Sequence, residues 1–454
     1  MFKLLKVYSK SVLIAFASIF MLGTIFANKF SQVIGIESVY DTKRLLLITS
    51  VSFFSLGLCF YNKFEFIKIS TITKAFVVTF FLSSFYSAFL SKYPFWSMVE
   101  IANIGLLINA FVLFTVIIKT FRKDRFIVAV FICALLFSIF TFVKYILFLI
   151  FSYTDAQNFN IHGLVSGYVN VRFFNQLQVM VIPLLFFPFF NQHLRNFRAV
   201  ALGVMSLHWA VLLQTEARGG IISLLLSSCI ILYFLPKNYR KQMFFNLLKT
   251  VSIGICLWLV FIIIIPYWLM DSVTFQIRTS SSGRLDLWLY ILDVITDRIW
   301  FGFGPMSFAW AEGRPLANTH PHNLVMQLLY EYGFLICVVC LSWVINRGYK
   351  QLKFSCQLQS LSFLPVSYGV IAGLIYSLVS GVAVMPFAQL MLVFLVAIQV
   401  QQGKRSFFLV DKFFRIGLFI SILLTAWFLL YTYKHEQLLP VLYPRIWING
   451  LIDY

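Results

Sequence analysis

Two histidines two residues apart, His320 and His322, close a polar stretch that runs from Asp271 to Asn323 and gives way directly to an apolar run at Leu324. An imidazole exchanges its proton near neutral pH, so a histidine at the edge of an apolar run is well placed as a general base. His322, next to Asn323 and the apolar run, is the first choice and His320 the alternative. Two histidines at this spacing can also ligate a metal. A third ligand at a suitable distance is not evident, however, and no Asp-x-Asp lies in any external segment, so no metal and no cofactor is expected.

The same side of the chain, from residue 153 to 323, carries Arg172, Arg218, Arg278, Arg284, Arg298 and Arg314 and no lysine. A guanidinium offers a planar fork that meets phosphate oxygens two at a time, whereas an ammonium acts as a point charge. Arginine without lysine is therefore what recognition of a phosphate or pyrophosphate selects, the blander reading being arginines that reach toward lipid headgroups. Arg218 is the sharpest case. Glu216-Ala217-Arg218-Gly219-Gly220 joins two apolar runs, so the arginine stands at the edge of the membrane. The paired glycines permit close backbone approach, and the free N–H groups opening the next helix favour an anion.

The elements that must position these groups are membrane helices. Of the 454 residues 61% are hydrophobic and 11% charged, with a mean hydropathy of +0.88, a composition that a water-exposed surface does not tolerate. Apolar runs near 11–28, 45–62, 70–90, 97–118, 126–152, 173–190, 199–215, 219–235, 250–270, 324–345, 362–380, 386–400 and 416–433 predict an all-α polytopic protein of about 12–14 spans, with 173–190, 199–215 and 386–400 open to being tilted or broken. Lys3, Lys6 and Lys10 precede the first run, which has no clean cleavage site and is expected to be retained. With that end inside, lysines and arginines collect in one inner loop after another, and the net charge of +20 is read as topology and not as a nucleic-acid surface. The seven cysteines lie in apolar runs or inner segments; Cys337-x-x-Cys340 is expected to be core packing. Within the long outer loop, Leu285, Trp288, Leu289, Leu292, Ile295 and Ile299 share a helical face, which predicts a helix lying along the membrane. Phe301-Gly302-Phe303-Gly304-Pro305 ends it. Glu331, more than two turns into the following span, needs a partner such as an arginine or a structural role near Gly333, and Lys144 stands as the clear charge inside a span.

The run from His322 through Asn323, Gln327 and Glu331 to Gly333 resembles the H-N-x-x-x-Q-x-x-x-E-x-G signature of the O-antigen ligase and polymerase superfamily. Glu216 to Gly220 is similar to that family's turn between spans, and Arg284 through Trp288 to Gly302-Phe303-Gly304 resembles its R-x-x-x-W…G-x-G stretch. The resemblance covers roughly 200 to 400, and divides the chain into N-terminal helices (1–198), a catalytic core (199–400) with the periplasmic loop 271–323, and a last span with its tail (401–454). It implies a GT-C-like, metal-independent, inverting glycosyltransferase in a Gram-negative inner membrane with its site facing the periplasm. Its donor would be an undecaprenyl-pyrophosphate-linked glycan. Its acceptor would be lipid A core, with a growing glycan or a pilin-like protein as the alternatives that the polymerase and protein O-oligosaccharyltransferase branches provide.

In that reading Arg218 and Arg284 hold the pyrophosphate, and His322 takes the proton of the attacking hydroxyl. Arg172, Arg278, His320, Asn323 and Glu331 complete the substrate-binding set. The span near 416–433 and the outer tail after it, with Lys434, His435 and Arg445, depart from a strict ligase pattern. The contrasting class is a lipid or polysaccharide transporter, which would call for binding groups facing both ways and for a matched pair of broken helices. Neither is visible in the sequence.

Overall fold

A computed structural model describes residues 2–36, 38–61, 63–157, 170–271, 283–402, 406–433 and 444–448. Helices stand at all thirteen apolar runs: eleven are long and apolar enough to cross a membrane, and two shorter ones, Arg218–Phe234 and Pro386–Val400, complete the set. In chain order they are α1 (Phe2–Ile25), α2 (Val39–Cys59), α3 (Thr71–Phe89), α4 (Pro94–Lys119), α5 (Lys123–Thr154), α6 (Val171–Leu184), α7 (Arg198–Gln214), α8 (Arg218–Phe234) and α9 (Lys237–Met270). After the loop helix α10 (Arg284–Val294) come α11 (Leu324–Ser355), α12 (Leu364–Tyr376), α13 (Pro386–Val400) and α14 (Lys412–Tyr431). A two-stranded antiparallel ribbon, Glu65–Ile67 with Phe407–Leu409, ties together two loops that the charge pattern assigns to the same side.

Burial sorts the helices. The span Val171–Phe190 has 89% of its apolar window inside the protein, whereas Lys237–Met270 has 11% and forms the periphery. The central position of α6 explains its composition: Asn175, Gln176 and Gln178 are buried, and the Gln178 amide meets His208, which in turn pairs with Ser138. Buried amides remain tolerable only with such partners. The charge inventory within spans is larger than the half-buried Lys144, because Lys43, Arg44, Glu100 and Glu331 are buried. Cys337 and Cys340 are buried thiols without a disulfide, as core packing predicts.

α11 is not continuous. Gly333 has φ 81° and ψ 173°, which breaks the helix one turn past Tyr330. The carbonyls released by the break are taken up by the stretch that follows α10: Phe303 N donates to Tyr330 O at 2.9 Å and Gly304 N to Glu331 O at 3.0 Å, while Phe334 N donates to Ile299 O at 2.7 Å. The Gly-x-Gly element thus docks a broken helix. A side chain on Gly333 would bring its Cβ to 2.3 Å from the Trp300 carbonyl oxygen, at a φ that L-residues rarely adopt. Gly333→Ala is therefore expected to destabilise the fold by at least about 1–3 kcal/mol from backbone strain alone, read as a lowered unfolding temperature of the detergent-solubilised protein. An unchanged melting temperature would count against this account of the break.

α10 forms where the amphipathic pattern predicts it, with a second apolar stripe beside the predicted one. Leu287 and Ile291 are buried against Phe308 and Tyr330, and Ile295 just past the helix is buried as well, whereas Leu285, Leu289, Leu292 and Ile299 remain exposed on the outside. The helix carries two apolar faces because it packs on the protein with one and leaves the other for its surroundings.

Candidate active site

The histidine turn is held from several directions. His322 lies at φ 56°, in the left-handed region, which a non-glycine residue occupies only where its surroundings impose it. Asn323 caps α11, its Oδ1 accepting from Val325 N at 2.9 Å and Met326 N at 3.2 Å. The indole of Trp288 donates to Pro321 O at 2.9 Å, and Leu324 N donates to Ser377 O at 2.9 Å. The His320 and His322 rings stand 4.2 Å apart, edge to face. His320 is buried, and its ring presses on Gly381, where a Cβ would come within 2.6 Å of Nε2. His322 is only partly covered.

The turn between α12 and α13, Ser377 to Met385, is the hub that the sequence did not disclose. Arg284 Nη1 donates to Val379 O at 2.8 Å. The backbone of Gly219, next to Arg218, lies against Val379 and Tyr376, where a Cβ would meet side-chain atoms at 2.8 and 3.2 Å. Gln176 Nε2, one turn past Arg172 on α6, donates to Ser380 Oγ at 2.9 Å. Arg218, Arg284, Arg172 and the histidine turn, far apart in sequence, are thereby gathered around one short segment. In the sequence, Ser377 to Gly381 is the uncharged end of the apolar run 362–380 and the residue after it. Lacking charge, that run drew no attention.

The electrostatics follow from this gathering. Burial, and then the positive charges of Arg284 and Arg172, push the His322 pKa down to about 3, so the ring is neutral at ordinary pH. Burial holds His320 well below its ordinary value, with His322, Arg445 and Arg284 adding to it. Arg284 is itself lowered, by burial first and by Arg172 second. Each effect has one sense: a cluster of positive charge in a partly desolvated place disfavours a further proton.

The six arginines divide. Arg298 donates to Leu90 O at the end of α3, and Arg314 donates from Nη1 to the carbonyls of Phe308, Ala309 and Ala311 in the loop itself, so these two serve backbone carbonyls. Arg278 lies outside the described residues. Glu331 is fully buried, and both its oxygens accept from Arg445 Nη2 at 2.8 Å; Glu100 sits 3.6 Å from Arg445 Nε. The arginine partner that the position of Glu331 required comes from the segment after α14. Among the described residues, no group of three or more histidines, cysteines or carboxylates could hold a metal ion.

A bundle of membrane-spanning helices with a cationic, histidine-bearing site at one end is the class that fold and site define. Residues 200–347 match the family described as O-antigen ligase, and that match supports the O-antigen ligase and polymerase superfamily. No curated protein matches the chain. The matched stretch contains Arg218, Arg284 and His322, whereas Arg172, the hub turn and Arg445 lie outside it.

Proposed function

We propose that the protein transfers a glycan from undecaprenyl pyrophosphate to an acceptor hydroxyl at the periplasmic face, as an inverting, metal-independent O-antigen ligase with lipid A core as acceptor. The observation that carries this reading is the gathering of neutral His322 with Arg172, Arg284 and the Arg218 turn around one segment. Arg218 has the freest guanidinium of the three, exposed at the start of α8, whose N-cap residue Ala217 supplies no side-chain cap. Uncapped N–H groups and a guanidinium favour the same anion.

Chemically, the attacking oxygen of the acceptor forms a bond to the anomeric carbon as the bond from that carbon to the pyrophosphate oxygen breaks. The hydroxyl proton passes to the His322 imidazole, and the negative charge growing on the departing pyrophosphate is met by Arg218 and Arg284. Attack opposite the leaving group inverts the anomeric centre. Arg172 and Arg278 add phosphate contacts, His320 packs its ring against that of His322, and Asn323 and Glu331 hold the helix start from which His322 projects.

A ring neutral down to about pH 3 is free to accept a proton but holds it weakly. The donor's pyrophosphate cancels the charge that depresses it, so the pKa of His322 rises in the complex. The acid limb of kcat, which reports the complex, is therefore expected at higher pH than that of kcat/KM, which reports the free protein, with KM for the donor falling as pH falls. Coincident limbs in the pH–rate profiles would count against this coupling.

The test of the function uses protein reconstituted in vesicles with undecaprenyl-pyrophosphate-linked glycan and lipid A core on the same face. Glycosylated acceptor together with released undecaprenyl pyrophosphate supports the reading. Movement of the donor across the bilayer without product would replace it by transport. Deleting the gene and asking whether lipid A core, a growing glycan or a pilin-like protein loses its sugar identifies the acceptor.

A further inference from the structure

The segment Pro444–Ile448 follows α14 and returns into the bundle, where Arg445 and Ile446 are almost wholly buried and Trp447 nearly so. Its backbone is clasped by α2. Tyr40 OH donates to Arg445 O at 2.6 Å, Arg44 Nε to Ile446 O at 3.0 Å, and Ile448 N donates to Asp41 Oδ1 at 2.7 Å. Arg44 is itself fully buried and also donates to Val384 O at 2.6 Å, which joins the segment to the hub turn. The Trp447 indole donates to Thr432 Oγ1 at 3.0 Å.

What this strap holds is the histidine turn. Thr319 Oγ1 donates to Pro444 O at 2.9 Å, and Arg445 Nη1 returns a bond to Thr319 O at 3.4 Å. Below the turn, Arg445 meets both oxygens of Glu331 and lies 3.6 Å from Glu100, and the Gln327 oxygen, once its amide is turned to face the guanidinium, accepts at 3.0 and 2.9 Å. Burial works against the charge on Arg445, but Glu331 and Glu100 outweigh it and hold the guanidinium protonated. Removing Arg445 leaves two buried carboxylates, Glu331 and Glu100, near each other beneath the histidine turn, an arrangement that only a proton or a shift of the backbone relieves.

We infer that the strap Pro444–Ile448 is a working part of the active site and that Arg445 is a positioning residue, fixing the Thr319–His322 turn through Thr319, Gln327 and Glu331. The inference rests on the transfer reaction proposed above. Arg445 touches no reacting atom in it. Its effect is to hold the base in line, where a displacement of about 1 Å can cost about 10²-fold in rate. Donor binding, which rests on Arg172, Arg218 and Arg284, is left in place.

In the full chain, Arg445→Gln is expected to lower kcat by about 10²-fold while the donor KM stays within about threefold, with kcat taken per folded protein in a monodisperse detergent fraction because an unfolded fraction alone would lower it at unchanged KM. A milder variant, Thr319→Val, deletes the hydroxyl bond to Pro444 and keeps the ion cluster; it is expected to lower kcat about tenfold at unchanged KM. A second readout needs no activity. A cysteine placed at the buried ring position by His320→Cys should react slowly with a membrane-impermeant maleimide, over the background of the parent chain, and about tenfold faster when combined with Arg445→Gln, because the turn then opens. Wild-type kcat in both Arg445→Gln and Thr319→Val, or a labelling rate indifferent to Arg445, would overturn the inference. Retained transfer in His322→Ala would instead remove His322 as the base, and absence of transfer in the parent chain would remove the reaction itself, while the labelling rate would still report whether the strap holds the turn.

Discussion

His322→Ala is expected to lower kcat by about 10²–10⁴-fold, the range supplied by a positioned general base, with the donor KM little changed. The substitution removes the one partly exposed imidazole of the site and leaves Arg172, Arg218 and Arg284 to bind the pyrophosphate. Two complications are separable. Alanine at φ 56° carries backbone strain that histidine already bears, so His322→Asn, a residue more at ease in the left-handed region, serves as the control: it relieves strain without restoring a base. If the two variants lose the same activity, the imidazole and not the backbone is responsible. The neighbouring His320 cannot readily substitute, because its ring is buried against Gly381. Steady-state transfer with defined donor and acceptor reads the effect, and a His322→Ala protein within tenfold of wild type would remove His322 from the role.

Arg218→Lys and Arg284→Lys are each expected to lower kcat by about 10²–10³-fold, as removal of a preorganised donor to a developing oxyanion does, although the charge is kept. The reason differs between them. Arg284 already spends one Nη1 bond on Val379 O and has its remaining donors for a ligand; a lysine has no fork with which to do both. Arg218 is exposed at the start of α8, and its planar fork is what matches two phosphate oxygens. The two act on one leaving group, so the double variant should lose less than the product of the single losses. Arg298→Lys is the internal control. It is bound to Leu90 O and exposed, and its activity should stay near wild type. Full activity in Arg218→Lys would tell against a bidentate phosphate contact.

Arg298 and Arg314 show where reasoning from residue type ends. An arginine-only bias is what phosphate recognition selects, yet a guanidinium with five donors is equally suited to gather loop carbonyls, as Arg314 does with three of them. Sequence spacing does not distinguish these uses, because the deciding fact is which acceptors the fold leaves nearby. The signature around His322 had a similar ambiguity. Asn323 caps a helix, Gly333 breaks it at a φ that excludes other residues, and Gln327 and Glu331 face Arg445, so several of its letters have structural roles that also place the histidine.

Thirteen apolar runs, the side on which the loops collect charge, and the residues capable of proton transfer and anion binding were determined by the sequence alone. These are properties of single residues and of near neighbours: hydropathy acts over one helix length, and an imidazole or guanidinium carries its chemistry wherever it stands. Tertiary structure alone decided that Arg172, the Arg218 turn and Arg284 meet at the uncharged segment Ser377–Gly381, and that Glu331 finds its countercharge 114 residues away in Arg445. Those contacts arise between helices whose order in space is set by which buried polar faces can satisfy one another. Arg445 itself, alone in an unremarkable stretch of tail, had nothing in its sequence neighbourhood to set it apart from a surface charge. Only the carboxylates it neutralises, on two other helices, give it a place.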